Sequence, residues 1–235
     1  MSSRFMPVGL VLGAGVALLV ATASRSGLTP VTQAYANTRS EQARPLDASS
    51  GTATRWVIAP TGNEARYRVR EQLAGFELPN DAVGATSTIT GAIVIDADGT
   101  LNRAESRIVV DLRPLRSDRD RRDRYLQNRT LETEQHPTVQ IVPTAVRGLS
   151  LAQPLTGSRT FELVGDLTVK GVTRPTTWQV TARFEPERVS GSAATVFGFE
   201  EFGLTKPRVA SVLSVADSIR LEYDFALVKE GGGRP

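Results

Sequence analysis

The sequence predicts an all-β protein in which about eight antiparallel strands form a β-barrel accompanied by one short helix. Three observations favour this fold. Apolar and polar residues alternate along most of the chain, turn residues separate the alternating segments, and the chain contains no Cys that could build a disulfide scaffold. Such alternation is typical of strands with one face toward a core and the other toward water. A barrel of eight strands is just wide enough to be filled by its own side chains or to hold one small ligand.

The 235 residues divide into four regions by composition. Residues 1–24 contain an uncharged apolar run after Arg4, which predicts a cleaved signal peptide or, as the alternative, a retained N-terminal membrane anchor. Residues 25–54 lack periodicity and predict a disordered linker. Residues 55–228 carry the strand pattern, and residues 229–235 predict a flexible tail. We therefore expect the barrel to be extracytoplasmic, either periplasmic or secreted, and free or tethered to the membrane by its N-terminal segment.

The first half of the patterned region predicts four strands. Alternation around Tyr67 and Val69 marks the first strand, with a loop expected at residues 79–81. Residues 89–95 and 106–112 flank an Asp- and Gly-containing turn and predict a hairpin. Val139 and Ile141 mark the fourth strand.

A short helix is expected between the third and fourth strands, within residues 114–131. Ser117 is the predicted N-cap, and Asp118 and Asp120 suit the first helical turn. Tyr125 and Leu126 give this helix one apolar flank, which we expect to cover one end of the barrel.

The second half of the patterned region begins with the clearest hairpin of the chain, between Phe161 and Phe184. Apolar residues alternate with polar ones in both arms, and Gly171 supplies the positive φ that a tight turn needs. Residues 193–199 and 219–227 predict the seventh and eighth strands.

Several kinds of chemistry are disfavoured by the residues present. The absence of Cys excludes thiolate metal sites and a Cys nucleophile. His136 is the only His, and neither a Gly-x-Ser-x-Gly nor a His-Glu-x-x-His motif occurs. We therefore expect no catalytic residue and no metal site, and a hydrolase that uses His136 is the least favoured hypothesis.

Residues 116–129 are rich in Arg, but Asp residues are interleaved with them at helical spacing. Because no stacking pattern of aromatic residues accompanies these Arg residues, we expect no nucleic-acid binding. Arg122 and Arg124 are instead candidates for contacts with a lipid head group or an anionic membrane surface. Reversal of both to Glu is expected to weaken ligand binding without unfolding the protein.

The order of several landmarks resembles the YceI-like family of extracytoplasmic polyisoprenoid-binding proteins. These landmarks begin with Trp56-Val57-Ile58, continue through Gly91-Ala92-Ile93-Val94-Ile95-Asp96 and the Ser-Asp to Arg-Asp spacing at 117–123, and include Phe202-Gly203-Leu204. The most specific motif is Gly-x-Leu-Thr-x-x-Gly-x-Thr-Arg-Pro at residues 165–175. The resemblance extends from Trp56 to Val228, which is nearly the whole patterned region.

This resemblance implies an extended, lipocalin-like barrel whose lumen takes an isoprenoid chain or an isoprenoid quinone, with no other cofactor. One departure from the family pattern follows the first Trp. Members often carry Ser-x-Val-x-Phe and a His there, whereas this chain has Ala65-Arg66-Tyr67-Arg68-Val69 and no His. A polar contact to a ligand at that position is therefore not implied by the resemblance.

The candidate ligand-binding residues are the large apolar and aromatic side chains on the inward face of the strands, because ligand pockets have mostly apolar walls. They are Tyr67, Ile93, Ile95, Ile108, Val110, Phe161, Leu163, Trp178, Val180, Phe197, Phe199, Tyr223 and Phe225. The same side chains would instead fill the core if the lumen were closed.

Two hypotheses on function therefore remain besides the hydrolase. In the favoured one, the protein binds or transports an isoprenoid-type lipid without catalysis. In the alternative, a barrel with a filled core acts as an extracytoplasmic interaction or stress-related module. The expected partners are an isoprenoid lipid and a membrane surface, and a homodimer remains open.

Overall fold

The computed structural model describes residues 52–208 and 212–231. These residues form twelve strand segments, one α-helix, one π-helical turn and one 3-10 turn. The strands are β1 (Thr54–Ile58), β2 (Glu64–Leu73), β3 (Asn80–Thr86), β4 (Ile89–Ile95), β5 (Arg107–Asp111), β6 (Arg116–Ser117), β7 (Thr138–Arg147), β8 (Gly157–Val169), β9 (Val172–Glu185), β10 (Arg188–Gly198), β11 (Val212–Val215) and β12 (Ser218–Lys229). The helix α1 (Asp120–Tyr125) continues into the π turn (Leu126–Thr130), and the 3-10 turn (Phe199–Phe202) follows β10. The predicted signal or anchor segment 1–24, the linker up to residue 51 and the tail from residue 232 lie outside the described residues.

All the strand pairings are antiparallel, and they close into an eight-position barrel. The closing contact is β1, which pairs with β4 on one side and with β12 on the other, for example Val57 with Ala92 and with Val228. From β4 the ring continues through β5, β7, β8, β9 and β10 to β12. The predicted fold class, an all-β eight-stranded antiparallel barrel with one short helix, is therefore confirmed.

Three barrel positions are each occupied by two strand segments. At the first position, β1 and β2 both pair with β12. At the second, β4 pairs with β1 and β3 pairs with β2. At the third, β5 pairs with β4 and β6 pairs with β3. Because β6 has no pairing with β7, the ladder between the third and fourth positions stops at the pair Asp111 and Thr138. The chain between β6 and β7, which includes α1 and the π turn, lies at this end of the barrel.

The hairpin of β8 and β9 has the predicted alternation and turn. Leu163 is paired with Trp178 and Phe161 with Val180. Lys170 and Gly171 form the turn with φ values of 47° and 76°. Two successive positive φ values are typical of the type I′ turn, whose twist matches that of the flanking strands. Lys170 is held in this conformation beside Glu132, whose carboxylate it contacts at 2.7 Å.

Several predicted boundaries were wrong. Ser117 is not the N-cap, because it lies in β6, and α1 begins at Asp120 after Arg119, which makes no side-chain capping bond. Asp118 consequently precedes the helix, while Asp120 lies in its first turn as expected. Residues 80 and 81 open β3 instead of forming a loop, and Phe199 begins the 3-10 turn instead of ending a strand.

The outer face of β4 is apolar, unlike the outer faces of most other strands. Ala92 and Val94 are buried there because the segment after the β4 turn folds back over them. The Ser106 hydroxyl accepts a hydrogen bond from the Val94 N–H at 2.9 Å, and the Asn102 N–H donates to the Val94 carbonyl at 2.9 Å. The connecting segment thus forms hydrogen bonds with both backbone groups of Val94 and covers this face of β4. The alternation of apolar and polar residues alone did not predict this covering.

Ion pairs cover the outer face of β2 and its neighbours. The three Arg residues of β2 do not stand free in solvent, because carboxylates of β2, β3 and β12 pair with them. Arg66 contacts Glu64 and Asp224, each at 2.6 Å, while Arg68 and Arg70 approach Asp81 at 3.3 and 3.1 Å. Opposite charges facing one another across strands favour this register of the sheet.

Close packing of β9 against β10 predicts a strong effect of substitution at Gly191. A Cβ atom on Gly191 would lie 2.1 Å from the carbonyl oxygen of Thr181 and 2.8 Å from the Cα of Ala182, and neither backbone atom can move without disturbing the ladder. We expect Gly191→Ala to lower the free energy of unfolding by about 1–3 kcal/mol in a denaturant titration. Gly198→Ala is the matched control, because its nearest contact would be 3.5 Å from the Glu201 side chain. An equal effect of both substitutions would contradict this account.

Candidate functional site

The barrel encloses two cavities, which we call the upper and lower cavities. The upper cavity has a volume of about 530 Å³ and lies at the end where α1 and the π turn are found, between Leu73, Leu126 and Leu204. The lower cavity has a volume of about 420 Å³ and lies at the other end, between Trp56, Leu155 and Phe184. Both volumes fall in the range typical of sites for small organic ligands. Their presence argues against a completely filled barrel.

The two cavities meet at a waist formed by Ile108 and Tyr223, the residues that line both. Tyr223 is held in place by a buried Asn63, because its hydroxyl donates to the Asn63 Oδ1 at 2.9 Å. The same Asn63 oxygen accepts from the Ala226 N–H at 3.0 Å, and the Asn63 side-chain amide donates to the Ala59 carbonyl at 2.9 Å. Asn63, which lies in the connection between β1 and β2, thus fixes the position of the Tyr223 ring at the waist.

The structure places all thirteen predicted ligand-binding residues on the cavity walls. Tyr67, Val110, Trp178, Phe197 and Phe199 line the upper cavity; Ile93, Ile95, Phe161, Leu163, Val180 and Phe225 line the lower cavity; Ile108 and Tyr223 line both. Their role in ligand binding stays a prediction. The two Trp residues of the chain are divided between the cavities, with Trp178 in the upper and Trp56 in the lower.

Other wall residues were not among the candidates. Trp56 and Phe184 of the lower cavity lie in strand patterns that the sequence displays, so the alternation could have included them. Leu204 and Pro207 of the upper cavity belong to an irregular segment after the 3-10 turn. No periodicity marks that segment, and only the folded chain brings it over the lumen.

A cluster of charged and polar side chains joins α1 to the barrel beside the upper cavity. Arg122 donates to Glu71 of β2 at 2.6 Å and also contacts Asp118. Asp123 accepts from the Ser117 hydroxyl at 2.6 Å and from the Ser117 N–H at 2.9 Å. The side chains of Arg122 and Glu71 are only 13% and 9% exposed. Burial alone would lower the pKa of Arg122, but hydrogen bonds to Asp118 and Glu71 raise it above its ordinary value.

The two predicted head-group contacts are placed differently by the structure. Arg122 lies on the wall of the upper cavity, whereas Arg124 lies on the exposed face of α1 and outside both cavities. Arg119 and Arg121 contribute to that wall instead. Because Arg122 neutralises the buried Glu71, its reversal to Glu would place two carboxylates side by side, and from the structure we expect this change to destabilise the protein.

The ring of Tyr67 forms part of the upper wall and lies directly over Gly84 of β3. A Cβ atom at position 84 would be 2.3 Å from the Tyr67 Cε1, so the absence of a side chain there makes room for the ring. Burial raises the pKa of Tyr67 to about 12, although the nearby positive charge of Arg122 lowers it somewhat. Burial also raises the pKa of Tyr223 well above its ordinary value.

His136 lies away from both cavities, next to the β8–β9 turn. The backbone N–H of His136 donates to the Glu132 carbonyl at 2.8 Å, and a Cβ on Gly171 would come within 3.3 Å of the His136 ring. Across residues 52–208 and 212–231, no group of three or more His, Asp or Glu side chains is arranged to hold a metal ion. No helix within these ranges combines the length and apolar character needed to cross a bilayer.

Comparison with known proteins identifies the family. A YceI-like domain model matches residues 56–227, which is most of the chain and almost the whole barrel. The chain belongs to the YceI-like family. This finding confirms the family that the sequence motifs indicated.

Curated relatives of this YceI-like chain are UPF0312 proteins of Pseudomonas. The protein from Pseudomonas putida (strain GB-1) is 32% identical over 115 residues, which cover 45% of this chain and 56% of the relative. The protein from Pseudomonas fluorescens (strain SBW25) is 30% identical over 130 residues, which cover 49% of this chain and 64% of the relative. The match therefore covers less than two thirds of either relative.

Solved structures of similar fold include a polyisoprenoid binding domain from Saccharophagus degradans implicated in plant cell wall breakdown. It has a TM-score of 0.58 and 12% identity, with 74% of this chain and 97% of that chain covered. The YCEI protein of Campylobacter jejuni has a TM-score of 0.52 and 13% identity, with 68% and 90% covered. At these identities the likeness establishes the YceI-like barrel fold.

The buried pair of Arg122 and Glu71 predicts how the protein responds when one partner is removed. We expect Arg122→Met to lower the free energy of unfolding by about 3 kcal/mol, because it leaves the Glu71 carboxylate buried without its cation. Arg124→Met, two residues further along the same helix, should change it by less than about 0.5 kcal/mol because Arg124 is exposed. Denaturant titration of both variants measures the difference, and similar losses would contradict the assigned role of Arg122.

The raised pKa of Tyr67 predicts a loss of stability at alkaline pH. The folded protein retains the Tyr67 proton that the unfolded chain releases near pH 10, so this contribution is complete below pH 10 and decreases as the pH rises through about 12. At pH 12 we expect a loss of about 2 kcal/mol from this group. Denaturant titrations from pH 8 to 12 should show this part of the loss in wild type and in Tyr125→Phe, but not in Tyr67→Phe. The same loss in Tyr67→Phe would refute the assignment.

Proposed function

We propose that this protein binds one isoprenoid-type lipid along the barrel lumen, outside the cytoplasm and without catalysing a reaction on it. The observation that carries the proposal is the pair of apolar cavities in series, joined at the waist of Ile108 and Tyr223. Two such spaces suit a long, narrow apolar chain better than a compact ligand. The family match and the similar fold of the Saccharophagus polyisoprenoid binding domain support the same ligand class.

The energetics of this binding rest on burial of the lipid chain. Each CH₂ group transferred from water contributes about 0.8 kcal/mol. A chain of several isoprene units therefore exceeds the roughly 4–15 kcal/mol that association costs in lost freedom of motion. The walls need only complement the chain in shape, as their aromatic and branched aliphatic side chains do. No charged contact is required for tight binding.

The proposed location and the absence of catalysis are supported by different observations. The apolar run within residues 1–24 and the absence of Cys are compatible with export. His136, the only His, lies outside both cavities. The membrane is the proposed source of the lipid, and the exposed apolar side chains of Phe76 and Leu78, in the connection between β2 and β3, support an approach of the upper end to it.

The first test is the identification of lipid that accompanies the protein. The full chain, expressed with export and purified without denaturation, is extracted and analysed by mass spectrometry beside an unrelated exported barrel. We expect about one isoprenoid per protein molecule, present only in this protein. A lipid-free protein that also fails to take up an added polyprenol would contradict the proposal and favour an interaction module.

The two Trp residues allow the position of a bound chain to be followed. Trp178→Phe leaves Trp56 as reporter of the lower cavity, and Trp56→Phe leaves Trp178 as reporter of the upper cavity. We expect a polyprenol of eight isoprene units to change the fluorescence of both single-Trp variants, because it spans the waist, and a prenol of two units to change only one. A change in only one variant with both ligands would show that the waist remains closed.

A further inference from the structure

Tyr223 of β12 has the larger side chain of the two residues at the waist, and its neighbours on the adjacent strands are small. Ala65 of β2 and Ala193 of β10 are paired with it in the ladders. Ala65 lines the upper cavity and Ala193 the lower one. Directly paired residues of an antiparallel sheet present their side chains on the same face. The Tyr223 ring is therefore flanked by two methyl groups on the inner face and extends into the lumen where the cavities meet.

A hydrogen bond keeps this ring from turning aside. The Tyr223 hydroxyl donates to the Asn63 Oδ1 at 2.9 Å. Asn63 is itself held by the Ala226 N–H, which donates to the same oxygen at 3.0 Å, and by the Ala59 carbonyl, which accepts from its amide at 2.9 Å. Asn63 is only 8% exposed, so these bonds form away from bulk water, where hydrogen bonds are stronger. Asn63 is therefore a positioning residue for the ring.

Ile108 narrows the lumen from a second part of the wall. Its strand, β5, is not a neighbour of β12 in the ring of strands, so the two waist side chains do not belong to one patch of the wall. Ile108 is only 5% exposed, and branching at its Cβ restricts the rotamers it can adopt. The waist is thus formed by one anchored aromatic ring and one stiff aliphatic side chain.

Ligands of equal composition meet this waist differently according to their shape. A flexible hydrocarbon chain lies extended, one methylene group wide, and buries its length in both cavities. A fused-ring system is broader and cannot narrow itself, so it has to stay within one cavity. The part that does not fit there keeps its contact with water and contributes nothing through burial.

We propose that Tyr223, positioned by Asn63, selects ligands by shape: one extended flexible chain crosses the waist, and a rigid fused-ring ligand is excluded from crossing it. The inference rests on the proposed function and adds to it the residue that determines specificity. Such selection acts against the wrong ligand by steric exclusion, and not through an extra contact with the right one.

The test is a competition between two isomers, squalene epoxide and lanosterol. The first is a flexible chain, and in the second the same atoms form a fused-ring system. Both are offered in equal amounts to the purified full chain, the protein is recovered by gel filtration, and the extracted isomers are separated by chromatography. We expect wild type to retain at least about tenfold more squalene epoxide than lanosterol, and Tyr223→Ala to reduce this ratio below about threefold.

Matched substitutions distinguish a wider waist from a larger cavity. Phe161→Ala also removes a half-buried aromatic ring that faces the lumen, but Phe161 lines the lower cavity only, so the ratio should stay as in wild type. Ile108→Ala widens the waist from its other part and serves as the second variant if Tyr223→Ala does not fold. It should lower the ratio, whereas Ile141→Ala, on the wall of the upper cavity only, should not.

Tyr223→Phe separates the ring from its hydrogen bond, because it keeps the ring and removes only the bond to Asn63. We expect a ratio between those of wild type and Tyr223→Ala, since a ring without its anchor turns aside at a smaller cost. Thermal unfolding is measured in parallel, and a lower unfolding temperature with the wild-type ratio would refute the positioning role of Asn63.

The outcomes separate this inference from the proposed function. If wild type retains neither isomer, it is offered the polyprenol of eight isoprene units. Retention of the polyprenol alone would refute the inference and leave the proposed function standing, and retention of no lipid would refute both. If wild type retains the isomers equally, or if Tyr223→Ala and Ile108→Ala keep the wild-type ratio, the protein binds lipid but the waist does not select its shape.

Discussion

Closure of the sheet through β1 is the constraint on which the rest of this structure depends. Because β1 pairs with both β4 and β12, every position in the ring has a hydrogen-bonded neighbour on each side. The wall is therefore held by its ladders and by ion pairs on its outer face, such as those of Arg66. An interior that is not completely filled is tolerated in such a wall, although apolar voids cost stability. A bound lipid would recover the contacts that the lumen lacks.

The hydrogen-bond ladder between β5 and β7 ends at Asp111, and at this point the structure departs from a simple barrel. There the wall between the third and fourth positions stops, and the segment with α1 and the π turn lies over the lumen. The buried pair of Arg122 and Glu71 fastens this segment to β2. Arg122, one of the two Arg residues that suggest an anion site in the sequence, thus serves to position the helix, since Glu71 and Asp118 compensate its charge.

The lumen combines apolar walls with a narrow waist between its two cavities. Apolar walls give affinity that grows with the length of a hydrocarbon chain but distinguish poorly between chains of similar shape. The waist of Ile108 and Tyr223 lies between the two cavities, and Asn63 connects it to the break between β1 and β2.

By itself, the sequence determined the strand faces, the β8–β9 turn and the family, because period-two alternation and turn residues act locally and the motifs follow a fixed order. It therefore predicted the thirteen inward side chains that the structure finds on the cavity walls. Only the tertiary structure decided that Ser117 belongs to β6, that Arg122 is compensated by Glu71 from a strand fifty-one positions earlier in the chain, and that Asn63 is bonded to Tyr223 at the waist. These outcomes depend on contacts between residues distant in sequence, and such contacts leave no periodic signal in the chain.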